Sequence, residues 1–490
     1  MVPSRVSPPT GDGRVLTQPG FGQPQPTPDP TKFSVQHASD AKAYATIDEL
    51  NKEHKLAAMP FPAPRGVPEP RLSLAQVLGG NGSDALSEIQ TAGQLVFHAL
   101  GDCGSTVGPT SQNDVTDKMI ADFTDATSEP GGSIGTPRFA LLLGDVVYSF
   151  GEVRYYYDQF YEPYRDYPAP VLAAAGNHDG MVAPQTNVAS LAAFLRNFCA
   201  EGFVVRPEAG GLSRTAQIQP GVFFTFEAPL ARILVLYSNV LEDPGVISDP
   251  PHTDASQIAY LRAALARAKQ DYASGAFKGA LLFAHHHPIY TASRSRHGWS
   301  PDMGAQIEAE CQRAGIWPHA VLAGHAHNYQ RFTRTRSDGT EIPYLVCGNG
   351  GHGLQKLTRG TALRTPQVIQ PASTGSKPAD QVVFENYDDE DYGYLRVVVN
   401  PQQLRIEYHP ASDGARSKTP DDFVTVDLQT RKLVHYTAPD LGAQKEAQAT
   451  AKLAQANPLK TTTTPSKKST AKKKTAAPAM SSKKATSARR

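Results

Sequence analysis

Five apolar runs in this chain each stop at a short polar group rich in metal-seeking residues. Residues 95 to 100 lead into Gly101-Asp102-Cys103-Gly104, and residues 139 to 143 into Gly144-Asp145-Val146-Val147-Tyr148. Residues 171 to 175 lead into Gly176-Asn177-His178-Asp179, residues 280 to 284 into His285-His286, and residues 320 to 323 into Gly324-His325-Ala326-His327. A buried parallel strand reads as such a continuous apolar run. Ligands of open α/β sheets bind just past the carboxyl ends of the strands. The pattern therefore constrains the chain to an α/β fold in which five strand ends deliver Asp, Asp, Tyr, Asn and His to one place. Each residue type alone has a commoner use, such as Asp capping a helix or Asn in a turn. It is the ordered set, each member after an apolar run, that points to a metal site.

In that order the five groups resemble the metallophosphoesterases, and more closely their purple acid phosphatase branch. The branch pattern is Asp-x-Gly, Gly-Asp-x-x-Tyr, Gly-Asn-His-Asp/Glu, Val-x-x-His and Gly-His-x-His. Four groups match outright, and the fourth departs with Phe283 in place of Val. The resemblance spans about residues 94 to 350. It implies that Asp145 bridges two metals, that Asp102, Tyr148 and His327 serve the first, and that Asn177, His286 and His325 serve the second. Most of the superfamily has a ligating His where this chain has Gly104; Tyr148 arises instead. A phenolate in place of an imidazole makes the first site harder, favouring Fe(III), while the second suits Fe(II), Zn(II) or Mn(II). In the triple His285-His286-His287, both of the first two fit an apolar-x-x-His spacing. The family's Pro two residues beyond the ligand, matched by Pro288, selects His286.

The resemblance also implies the reaction: a metal-activated hydroxide attacks a phosphomonoester in line, best below neutral pH. His178 matches a substrate-contacting residue, with Asp179 expected to orient it as a carboxylate–imidazole pair. His297, eleven residues after His286, matches a second substrate contact, and Arg296 beside it would attract an anion. The segment Gly348-Asn349-Gly350-Gly351-His352 reads as a turn near the site rim. Two other readings stand beside this one. The same metals suit a phosphodiesterase acting on nucleotides or lipid head groups, and the basic tail suits a polyanion-binding protein.

That tail is the chain's clearest charge asymmetry. Residues 451 to 490 hold nine Lys, two Arg and no acid, a charge of +11. The chain's net +1 less this +11 leaves −10 on the rest. Lacking aromatics, the tail can hold nucleic acid only electrostatically.

The alternation of strands and helices, with more strands after residue 340, suggests two sheets layered between helices. The resemblance makes this a four-layer αββα sandwich. Residues 1 to 93 read as an extension, Pro-rich and disordered to about residue 35 and helical over 40 to 58. Residues 94 to 440 read as the catalytic domain and 441 to 490 as a disordered tail. No apolar leader or membrane-length run is legible, and four scattered cysteines are too few for a disulfide framework. The expected location is cytoplasmic.

Overall fold

Every residue of the strand Leu95–Leu100 is buried, as a strand covered on both faces must be. The computed structural model describes residues 13–21, 38–52, 62–124, 135–183, 186–238, 245–250, 253–293, 297–357, 363, 365–369, 380–414 and 417–436. Within these, that strand is central to a seven-stranded sheet. Its order is Leu433–Tyr436, Asp422–Asp427, Gln403–Pro410, Gly393–Val399, Leu95–Leu100, Pro137–Leu143 and Val171–Ala174. The last three run parallel, and the other four are antiparallel. The second sheet has nine strands. Its order is Gln367–Ile369, Gln381–Asp388, Tyr329–Thr335, Glu341–Cys347, Ala320–Ala323, Ala280–Ala284, Ala231–Val235, Phe224–Ala228 and Arg71–Ser73. Its centre is parallel from 231 through 280 and 320 to 341.

The two sheets pack face to face. Phe139 of one meets Phe226 of the other edge-on, with centroids 4.8 Å apart. Tyr408 and Tyr329 stack across the interface at 4.1 Å. Helices cover the outer faces. Ser256–Ser274 buries Tyr260, Leu261, Leu265 and Ala268 along one stripe and lies on the larger sheet, where Arg232 pairs with its Asp271. Thr110–Thr124 buries Val115 and Met119 and lies on the smaller sheet, where His98 meets its Asp122. The expected αββα layering is what the chain adopts.

One ion pair joins the sheets through the interior. Arg331 donates from Nε and Nη2 to the Asp422 carboxylate at 2.8 and 3.1 Å, and Tyr329 adds its hydroxyl at 2.7 Å. Both charged side chains are 1% exposed. Asp422→Ala leaves the guanidinium buried opposite an apolar wall. The expected cost is about 3–5 kcal/mol in urea unfolding; a loss under 1 kcal/mol would show that the pair does not bind the sheets together.

Several boundaries differ from those read in sequence. The nine-stranded sheet already takes in Arg71–Ser73, followed by helices Leu74–Leu78 and Gly82–Ala92, whose Leu74, Val77 and Ile89 join the core. The division at residue 94 thus falls inside the folded unit, because a three-residue strand has no readable period. Residues 13–21 are ordered, against expectation: Arg14–Val15 pairs antiparallel with Val204–Val205, and the Gly80 amide donates to Gln18. The helix expected over 40–58 is Ala38–Lys52. Residues 153–161 form a 3₁₀ turn followed by the π-helical turn Tyr157–Tyr161. The tail, 441–490, lies outside the described residues.

Candidate metal centre

The carboxyl ends of the two parallel sub-sheets abut, and the polar groups of the sequence motifs meet there. Asp102, Asp145 and Asn177 come from the seven-stranded sheet; His286, His325 and His327 follow strands of the nine-stranded one. The turns that aim them are strained. Asp102, Asp145, His325 and His297 all hold left-handed backbone, with φ of 57°, 53°, 69° and 72°. Each costs a residue with a Cβ on the order of 1 kcal/mol or more, and such outliers gather at functional sites.

One half of the cluster is built on Asp102. The Tyr148 hydroxyl lies 2.9 Å from Asp102 Oδ1 and 3.4 Å from His327 Nε2. His327 Nε2 is itself 3.4 Å from Asp102 Oδ1, and the His325 amide donates to Oδ2 at 2.6 Å. Gly104 is required by this arrangement. A Cβ there would stand 2.9 Å from Tyr148 Cδ2 and 2.8 Å from the Val146 carbonyl oxygen. A side chain at 104 has no room beside the inward Tyr148 ring and the Val146 carbonyl.

The other half is built on His286. Its Nε2 lies 2.9 Å from Asn177 Oδ1, 3.2 Å from Asp145 Oδ2 and 3.2 Å from His325 Nδ1. Gly144, at φ +96°, leaves room for the His286 ring, which a Cβ would overlap. Among the described residues, Asp145, His286 and His325 offer ligand atoms all within 4.8 Å of one another.

The donor set fits cations. His286 and His327 each donate Nδ1–H to a backbone carbonyl, of Leu143 at 2.8 Å and Gly353 at 3.0 Å. That fixes the tautomer in which Nε2 is the ligating atom. Asp145 Oδ2 is buried and accepts no hydrogen bond, and such an orphan needs a partner. Burial opposes a charge on His286, yet the Asp145 and Asp102 carboxylates raise it to about 9. A proton on Nε2 and a cation compete for the same lone pair. Burial, then Asp102 and Asp145, push the Tyr148 phenol well above its usual range. It therefore holds its proton and donates to Asp102 unless a strong positive charge replaces that proton.

The remaining sequence candidates divide. His178 borders the cluster, its Nε2 4.0 Å from Asp145 Oδ2. His297 also reaches it, with Nδ1 3.1 Å from His325 Nε2. Arg296 lies outside the described residues. Asp179 does not orient His178. Its carboxylate accepts the Val146 and Gly176 amides at 3.1 and 2.9 Å, while His178 Nδ1 faces the Ser149 carbonyl at 2.8 Å. Adjacent residues of the turn Asn177–Gly180 point about 100° apart, so neighbours in sequence diverge. Burial, with Asp145 nearby, raises Asp179 to about 7. His285 turns away from the cluster's centre, its Nδ1 meeting the His287 carbonyl, whereas His287 packs on the His325 ring with centroids 4.3 Å apart and its Nδ1 meets Ser238 Oγ at 2.7 Å.

Two contributors, Gln159 and Tyr44, were not read as site residues, and a third, His352, was placed only at the rim. His352 stacks flat on Tyr148 with centroids 3.7 Å apart. Gln159 clamps the Tyr148 backbone, accepting its amide at 2.8 Å and donating to its carbonyl at 2.7 Å. Its place in a π turn agrees with the frequency of such turns at functional sites. Tyr44 lies against His178.

Residues 96–329 match the family model described as calcineurin-like phosphoesterase. No curated protein matches the chain. Among solved structures, one similar chain is GAP50, the anchor in the inner membrane complex of Plasmodium. It is 13% identical, with TM-score 0.41, covering 73% of this chain and 94% of that one. Another is PhoD, also 13% identical, with TM-score 0.37, covering 74% of this chain and 78% of that one. Likenesses this remote say nothing about activity. The segment that matches this family model, residues 96–329, is also the one that carries the metal-ready cluster of Asp145, His286 and His325.

Proposed function

We propose that this chain is a phosphomonoesterase of the purple acid phosphatase type, with Fe(III) in one site and divalent Fe, Zn or Mn in the other. Asp102, Tyr148 and His327 would hold the first ion, Asn177, His286 and His325 the second, and Asp145 would bridge them. The observation that carries this reading is the Tyr148 hydroxyl, 2.9 Å from Asp102 and 3.4 Å from His327, with Asp145 Oδ2 buried and 3.2 Å from His286 Nε2. Bound cations would supply electrophilic activation of the phosphoryl group and of water. The chain's own part is to place the ester. His178 and His297, on the rim, would contact phosphate oxygens, and His178 would protonate the departing alcohol. Burial of the ligand carboxylates keeps the site's field strong.

Aerobically purified protein should contain iron and absorb in the visible through Tyr148 phenolate. Tyr148→Phe should bleach the band while preserving the fold, since the Phe ring keeps the stack on His352 and loses one hydrogen bond of about 1 kcal/mol. Colour that survives the substitution would remove Tyr148 from the ligand set. Turnover of an aryl phosphate well above that of the bis-aryl diester is expected; the reverse order would favour the phosphodiesterase reading.

A further inference from the structure

The helix Ala38–Lys52 rests on the loops that carry the candidate centre. Its Ala43, Tyr44 and Ile47 pack against Phe150, Met181 and Ala183. Phe150 lies two residues beyond Tyr148, and Met181 four beyond Asn177. The Tyr44 ring lies over His178 with centroids 4.6 Å apart and an interplanar angle of 18°. Its hydroxyl stands 3.0 Å from His178 Nε2.

The hydrogen bonds fix the direction of that contact. His178 Nδ1 is 2.8 Å from the Ser149 carbonyl oxygen, which can only accept. Nδ1 therefore carries the ring proton, and Nε2 presents a lone pair to which the Tyr44 hydroxyl donates. Nε2 is also the nitrogen nearest Asp145, at 4.0 Å. Tyr44 thus covers the ring nitrogen of His178 that faces the centre.

We propose that Tyr44 is a specificity-determining residue. The helix roofs the His178 side of the centre, and the Tyr44 ring stands as a wall beside the leaving group. Slender leaving groups pass this wall, and bulky ones must lift the helix. The substrate class is thereby phosphomonoesters of small or single-ring alcohols. The proposal rests on the phosphatase reading above.

The test compares metal-loaded full-length wild type, Tyr44→Phe and Tyr44→Ala on phenyl phosphate and naphthyl phosphate. Tyr44→Ala should raise kcat/KM for the naphthyl ester relative to the phenyl ester about tenfold, a usual size for one steric contact in a pocket. Tyr44→Phe keeps the wall and should keep the wild-type ratio. Ile47→Asp, which frees the helix without touching Tyr44, should reproduce Tyr44→Ala. A ratio unchanged in both Tyr44→Ala and Ile47→Asp overturns the proposal. A second readout needs no turnover: carbethoxylation of His178 by diethyl pyrocarbonate, located by peptide mapping. His178 should react several-fold faster in Tyr44→Ala than in wild type, and equal rates overturn the roof. A shielded His178 in a chain that hydrolyses neither ester overturns the phosphatase reading and leaves the roof standing.

Discussion

Asp145→Asn should lower phosphomonoester turnover about a thousandfold and strip at least one metal ion per chain. The figure follows from the several kcal/mol of charge stabilisation that cations supply in such reactions, at about 1.4 kcal/mol per tenfold in rate. Asp145 is the right target because it stands between the two halves of the cluster. Its Oδ1 accepts the His178 amide at 2.8 Å, while its Oδ2 faces His286 at 3.2 Å and accepts no hydrogen bond. Asparagine keeps the shape and the amide contact but removes the charge. Urea midpoints of the two metal-free proteins separate loss of metal from loss of fold. Metal analysis of the two proteins side by side decides the matter; undiminished metal content in the variant would remove Asp145 from the ligand set.

Acid should unfold the protein through two histidines remote from the metal centre. Burial holds His98 at about 4, against the pull of its bond to Asp122. Burial and Arg431 hold His319 at about 3. His98 donates from Nε2 to Asp122 at 2.9 Å and sits among Tyr167, Tyr394, Arg396 and His409. His319 Nδ1 accepts the Leu281 amide at 3.0 Å, beside Tyr272 and Arg431. In the unfolded chain both take a proton near the ordinary value of about 6.5. Between that value and the folded ones the unfolded state binds more protons, so stability is full above about pH 6.5 and falls as the pH drops. Each contributes up to about 1.4 kcal/mol per pH unit. Asp122, lowered overall by His98, Arg396 and Lys418 against the effect of burial, extends the loss below pH 4. Urea midpoints measured from pH 7.5 to 4.5 should fall steeply below pH 6.5, and His319→Gln should flatten that slope. A midpoint constant down to pH 5 would contradict this. A rate profile that declines on the acid side would then report unfolding as well as chemistry.

The candidate site was legible because its groups occupy five short segments that each close an apolar run, and strand ends converge by topology alone. What stayed hidden depends on contacts distant in sequence. Tyr44 meets His178 across 134 residues. Gln159 reaches Tyr148 only because residues 157–161 wind as a π turn, a register that aromatic composition does not announce. The strand Arg71–Ser73 is recognisable only by its partner Phe224–Ala228. Asp179 misled for the opposite reason. Sequence adjacency to His178 suggested a pair, whereas the turn carries its carboxylate back to the Val146 and Gly176 amides.

The candidate ligands are divided between two sheets that also meet through side-chain packing, the buried Arg331–Asp422 pair and hydrogen bonds such as that from the Gly101 amide to the Cys347 carbonyl. A cation bound by both sets would act as a rivet across that seam. Its binding energy would then count toward folding, growing with the logarithm of free metal concentration. The amount of this protein in a cell would follow the supply of the metal: chains made during scarcity would open more often along the seam and be the first degraded. Steady-state abundance under metal limitation would thus register the centre's occupancy, apart from any assay of phosphate release.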